Sequence, residues 1–158
     1  MLQLHLMTPE EFTAYKAWMV EDYAKNNAEN YRLLLEEARI NSSKEIDGLI
    51  NQGFSTPNQY LYNIILSGET ENCYIGYLWV DIDDQKKRCF VADIYINPDN
   101  RHQGWGRKTL ELLDLNMKQR GITRIVLHVF GNNQIAQELY KKMGYQVIGL
   151  NMQKWLND

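Results

Sequence analysis

Cysteine is scarce in this chain: Cys73 and Cys89 are the only two in 158 residues, and their spacing fits no metal-binding pattern. No metal site is expected. Two thiols suit a reducing cytoplasm as small buried hydrophobes, although one disulfide is compatible with the count. Long apolar runs are also missing, so no segment is expected to span a bilayer. The first residues, Met1-Leu2-Gln3-Leu4-His5-Leu6, have neither the basic start nor the long apolar core of a secretory signal. A cytoplasmic location is the expectation. There is no excess of basic residues: 17 Lys and Arg stand against 20 Asp and Glu, a net charge of −3. That argues against a general nucleic-acid binder, which carries a basic stripe. Repeats, low-complexity tracts and linkers are absent too. The chain therefore reads as one domain over residues 1–158, ordinary in its 44% hydrophobic and 23% charged content.

What is present is a periodic order of elements. Residues 2–6 alternate as a short strand does. Thr8-Pro9-Glu10-Glu11 is a helix start, with Thr8 at the N-cap, Pro9 at the first helical position and Glu11 at the capping-box position. The spacing predicts a helix from there to about residue 25 and a second helical region over about 28–50. Three strands are expected over 59–66, 73–82 and 87–96. Ser67-Gly68 and Asp83-Asp84-Gln85 connect them as an antiparallel meander. A helix follows over 106–119, then a β-branched strand over 123–130 and a helix from Asn132 or Asn133 to Met143, with Gly144 at its C-terminus. A last extended segment covers 145–156. The expected fold is α/β, in the order β-α-α-β-β-β-α-β-α-β. It is a mixed central sheet flanked by helices, with one parallel crossover between the strands near 89–96 and 123–130.

The most informative stretch is Arg101-His102-Gln103-Gly104-Trp105-Gly106, between a strand and a helix. Glycines there let backbone come close to a ligand, and several N–H groups converge on one point at the positive end of a helix. The natural occupant is a phosphate or pyrophosphate. Ligands at the C-terminal end of such a strand follow the general rule for α/β sheets. Arg101, Arg107 and Lys108 add positive charge beside the loop. A second constellation follows: Asn133-x-x-Ala136-x-x-Leu139-Tyr140-x-x-x-Gly144-Tyr145.

With both motifs in that element order, the chain resembles the GCN5-related N-acetyltransferase (GNAT) superfamily. The family's phosphate loop, Arg/Gln-x-x-Gly-x-Gly/Ala, is matched throughout by Arg101 to Gly106, and its later Asn, Ala, Leu-Tyr and Gly-aromatic signature by residues 133–145. The similar core covers about residues 87–145, and the N-terminal third looks like a group of stand-alone bacterial acetyltransferases. The resemblance implies acetyl-coenzyme A as donor, no metal, and direct transfer to a primary amine of a small molecule or peptide. It implies cofactor contact by Ile94, Tyr95 and Ile96 on the approach strand, by the loop Arg101, His102, Gln103, Gly104, Trp105, Gly106 and Arg107, and by Asn133 and Tyr140. The indole of Trp105 departs from the small residue usual there and belongs on the surface or toward the adenine.

Two catalytic roles follow from the chemistry. A departing thiolate gains from a nearby acid, which the Tyr140 phenol can supply. An ammonium has no lone pair, so the acceptor must lose a proton. Asp93, in an apolar strand just before the loop, is the candidate base, directly or through water. Strict alternation would put Val91, Asp93 and Tyr95 on one face, opposite Ala92 and Ile94. His128, in another apolar strand, reads as a core or edge histidine and a reserve base. An alternative function is a non-catalytic module that binds or senses acetyl-coenzyme A. Either a monomer or a homodimer is compatible, with no nucleic-acid or membrane partner.

Overall fold

The capping signal at Thr8 is fulfilled in both directions. In a computed structural model, which describes residues 1–157, the Glu11 N–H donates to Thr8 Oγ1 at 3.2 Å and the Thr8 N–H donates to Glu11 Oε1 at 2.9 Å. This cap opens helix α1, Pro9–Tyr31, directly after strand β1, Leu2–Leu6. Helix α1 does not stop near residue 25. Its asparagines, which would favour a break, instead bond back to the preceding turn: Asn26 Nδ2 donates to the Asp22 carbonyl and Asn30 Nδ2 to that of Asn26. The helix ends where Arg32 turns left-handed at φ 51°. Helix α2, Leu35–Leu49, starts correspondingly late and packs back along α1 through Ala38, Ser42 and Ile46. Polar ties hold the pair, with Arg39 on Glu21 at 2.8 Å and Tyr23 on Glu45 at 3.0 Å.

The meander forms as its turns suggest. Strands β2 (Gln59–Ser67), β3 (Asn72–Asp83) and β4 (Arg88–Ile96) are antiparallel neighbours, and β1 adds antiparallel to β2. Helix α3, Trp105–Arg120, crosses over to β5, Arg124–Leu127, which lies parallel to β4. The five strands are thus ordered β1-β2-β3-β4-β5. Helix α4, Gln134–Lys142, follows.

Two cores result, one on each face of the sheet. On one side Ile64, Leu78, Val80, Ile82, Cys89 and Val91 meet Leu110, Leu113 and Met117 of α3. On the other, Leu61 and Trp79 meet Phe12, Tyr15 and Met19 of α1 and Ile46 of α2. Both cysteines are free thiols, with Cys89 buried and Cys73 exposed. Among the described residues no helix is long and apolar enough to cross a membrane.

The expected last strand is absent. Residues 145–157 carry no strand, and Val147, Ile148, Leu150, Met152 and Leu156 stand exposed. A strand needs a hydrogen-bonded neighbour, and this segment is drawn to the end of α1 instead. Gln153 Nε2 donates to the Asn30 carbonyl at 2.9 Å, and the Arg32 guanidinium lies 4.8 Å from the centre of the Trp155 ring.

Strand β3 comes close against the backbone of β4 at Gly76. A Cβ there would fall 1.9 Å from the Tyr95 carbonyl oxygen, which is backbone and cannot swing aside. Gly76→Ala should therefore destabilise the fold by at least ~1–3 kcal/mol, the usual range for overpacking. Thermal unfolding of the two forms measures this, and an unchanged midpoint would contradict the close approach.

Candidate active site

Strands β4 and β5 stay paired for only four positions. The parallel ladder runs from Arg88 opposite Arg124 to Val91 opposite Leu127 and then ends. It ends beside a bulge. Val80 of β3 faces Val91, but Trp79 faces Asp93, so Ala92 has no residue opposite it. This extra residue corrects the expected alternation. Val91 belongs to the α3-side core, whereas Ala92 packs on the α1 side and Asp93 also faces α1. Ile94 returns to the α3 side, as alternation requires.

Beyond the bulge, β4 keeps β3 on one edge and has no strand on the other. The Asn97 N–H donates to the Ile75 carbonyl on the β3 side, while the Ile96 carbonyl accepts from Arg101 Nε at 2.8 Å. By the alternation of a ladder, the N–H and carbonyl of Ile94 also point away from β3, into the gap. Sheet backbone with open hydrogen-bonding positions is thus exposed toward β5.

The glycine loop closes the top of this gap. His102 and Gly104 both take left-handed backbone, at φ 62° and 83°. Gly104 is the N-cap of α3 and supplies no side-chain cap, and the first bond inside the helix is Lys108 N–H to the Gly104 carbonyl at 3.1 Å. The N–H groups of Trp105, Gly106 and Arg107 consequently have no intrahelical acceptor. Gly106 lies where a Cβ would be 3.8 Å from Leu139 and 4.0 Å from Ile96, so the loop sits against both α4 and the end of β4.

The cations around the loop divide their roles. Arg101 turns inward to the Ile96 carbonyl, with its guanidinium 5.0 Å from the centre of the Tyr95 ring, and so braces the strand end. Arg107 pairs with Glu111 at 3.1 Å on the surface. Lys108 lies over the half-buried Trp105 indole, whose Nε1 is 3.4 Å from Gln103 Oε1.

Tyr140 projects from α4, and Asn133 caps that helix by accepting the Ala136 N–H at 3.2 Å. The Tyr140 ring packs partly buried against the α3-side core, 5.6 Å from the ring centre of Tyr145. Burial, then the charge of Asp93, raises its pKa, so the phenol holds its proton at neutral pH.

Asp93 is gripped by a residue that no local pattern singles out. The Tyr15 hydroxyl, on α1 and 78 positions away, donates to Asp93 Oδ2 at 2.6 Å. Burial pushes the Asp93 carboxyl up to about 6; the Tyr15 bond pulls it down and the Asp22 charge pushes it up. Tyr15 itself is held well above its ordinary value by burial and by the same carboxylate. Trp18, Tyr77 and Tyr95 wall this side, with Trp18 edge-on to Tyr95 at 4.4 Å. In the sequence Tyr15 was one aromatic among several, and only the tertiary packing distinguishes it. His128, by contrast, is exposed beyond the end of β5, 5.5 Å from the Phe130 ring centre.

The arrangement matches known proteins. The sequence model of the Acetyltransferase (GNAT) family matches residues 12–145. The chain is 29% identical to the uncharacterized N-acetyltransferase YycN of Bacillus subtilis (strain 168), covering 98% of this chain and 99% of that one. It is 31% identical to a second N-acetyltransferase of that organism, YdgE, over 95% of each chain. The crystal structure of YycN superposes with a TM-score of 0.92, at 28% identity and full coverage of both chains. The PaiA N-acetyltransferase of Thermoplasma acidophilum, solved with coenzyme A, shares the fold with a TM-score of 0.63, at 18% identity over 96% of this chain and 93% of that one.

The Tyr15 bond favours the charged form of Asp93, so its loss must disfavour that form. Tyr15→Phe should move the Asp93 carboxyl upward from about 6. Carboxyl-carbon NMR titration follows this directly, and an unmoved or lowered value would exclude the bond in solution.

Proposed function

The chain belongs to the GNAT acetyltransferase family and is an N-acetyltransferase, and from that premise we propose that it moves the acetyl group of acetyl-coenzyme A directly to a primary amine. The observation that carries this reading is the gap between β4 and β5, with a bundle of unpaired N–H groups at its mouth and Asp93 and Tyr140 beside it.

The donor's chemistry fits the gap piece by piece. A pyrophosphate needs several N–H donors and no side chain in the way, which the backbone of residues 103–107 offers at the start of α3. The pantetheine arm carries amides, and the open edge of β4 at Ile94 to Ile96 can pair with them as a strand would. Arg101, His102 and Trp105 shape this loop, with Arg101 acting through the Ile96 carbonyl. Asn133 acts by holding the start of α4, and so the position of Tyr140.

Chemistry then proceeds in one site. The acceptor ammonium gives a proton to the Asp93 carboxylate, directly or through water, and the freed lone pair attacks the thioester carbonyl. The carbon–nitrogen bond forms, the tetrahedral intermediate collapses, and the carbon–sulfur bond breaks. Tyr140 donates its proton to the leaving thiolate, and the second proton that the nitrogen sheds on becoming an amide restores the phenol. A carboxyl with a pKa of about 6 suits its part, because it is charged at neutral pH yet more basic than an ordinary aspartate. A non-catalytic sensor would have no use for an acid and a base on either side of the gap.

Tyr140→Phe should leave acetyl-coenzyme A affinity within a few fold and lower turnover by roughly 10–1,000-fold, the scale of one lost proton donor. Thiol release during turnover and calorimetry of donor binding separate the two quantities; undiminished turnover would return Tyr140 to a packing role. In the wild-type chain the rate should fall as pH drops through about 6, where Asp93 takes up its proton. In Asp93→Asn that acidic limb should vanish along with most of the rate. A mutant that keeps both the limb and the rate would move the base elsewhere.

A further inference from the structure

On the α1 side of the sheet, Asn63 of β2 lies opposite Tyr77 of β3, and Tyr77 lies opposite Tyr95 of β4. A cavity of about 250 Å³ sits beside this row, bounded by Glu11 and Tyr15 of α1, Asn63, Tyr74, Tyr77 and Asn97. It is smaller than the ~300–1,000 Å³ pockets that enclose drug-sized ligands. It also adjoins the reaction centre, because Tyr15 is both its wall and the donor to Asp93.

Asn63 is the unusual member of that lining. It is one of only three buried polar or charged residues among those described, at 4% exposure. Its side chain makes no hydrogen bond within the described residues. Its carboxamide, with two donors and an acceptor to satisfy, is not sealed in the core but reaches open space. Here they border the cavity. The charges in the lining are equally one-sided. Glu11 is the only side chain there that is charged at neutral pH, with its Oε1 fixed by the Thr8 N–H, and there is no Lys, Arg or His. Lys16, the next cation on α1, is taken by Asp47 at 2.7 Å. The tyrosine faces add to the preference for positive charge.

We propose that this cavity receives the far end of the acceptor, with Asn63 as its specificity-determining contact. The acceptor class is a small amine that carries a second hydrogen-bond donor and no anionic group, such as a diamine or an amino alcohol. This rests on the acetyl-transfer reading. A carboxylate at the far end would face Glu11 with no cation in the lining to balance it, which disfavours free amino acids. An ammonium or hydroxyl donates to the Asn63 oxygen and to Glu11.

The test uses three acceptors with one skeleton: 1,3-diaminopropane, 3-aminopropan-1-ol and β-alanine, each with the full chain and acetyl-coenzyme A. The diamine and the amino alcohol should exceed β-alanine in kcat/KM by at least ~tenfold. Asn63→Leu should raise KM for the preferred acceptor about tenfold with a smaller change in kcat, the signature of lost ground-state binding. Asn63→Asp, nearly isosteric, should raise the diamine's advantage over the amino alcohol, with near-ultraviolet circular dichroism checking that the buried carboxylate leaves the fold intact. Equal or better use of β-alanine, or an unchanged acceptor ratio in Asn63→Asp, would overturn the proposal. Calorimetry with acetyl-coenzyme A keeps the two readings apart. No donor binding defeats the transfer reading itself, whereas donor binding without acetylation of any of the three defeats only the assigned acceptor class.

Discussion

The arrangement depends on one extra residue in one strand. Ala92 has no residue opposite it on β3, and at that point β4 also stops pairing with β5. Had the ladder continued, the edge of Ile94 and Ile96 would be consumed by sheet hydrogen bonds. Had the alternation continued, Asp93 would point to the α3 side with Val91 and would meet the apolar core around Leu110 and Leu113. The bulge thus coincides with an open sheet edge and re-aims a carboxylate, a recurring effect of bulges.

Around that point the electrostatics are arranged by burial more than by ion pairs. Ion pairs such as Lys16 with Asp47 and Arg120 with Asp84 lie toward the surface, and the one beside the loop, Arg107 with Glu111, is solvent-exposed. Inside, a carboxyl raised to about 6 touches a phenol raised well above its usual value, and a second phenol on α4 feels the same carboxylate. Each group is left in the state the proposed reaction requires at neutral pH, Asp93 charged and Tyr140 protonated. Tyr15 keeps Asp93 from rising further and so sets the balance between basicity and charge.

Much of the site was legible along the chain because its signals are local. Left-handed backbone at Gly104 and the packing of Gly106 against α4 and β4 are demands that a glycine answers at its own position. The Thr8 cap, the meander turns and the Asn133 cap are likewise decided within a few residues. The errors have the opposite character. The end of α1 was misplaced because Asn26 and Asn30 were free to cap or to bond backward, and packing against α2 settled which. The last strand failed because strand formation needs a partner, and residues 145–157 are tied instead to the end of α1.

The sequence alone determined the element order as far as α4, the mixed sheet, the glycine turn before α3 and the place of Tyr140 on α4, because each is written in short-range spacing and glycine placement. Only the tertiary structure decided which way Asp93 faces, that Tyr15 holds it, and that Asn63 and Glu11 share one small cavity beside it. Those facts join residues as far as 78 positions apart. A shift of a single residue in pairing reverses the face on which every later side chain falls. No pattern read along one strand contains that shift, since it exists only between strands.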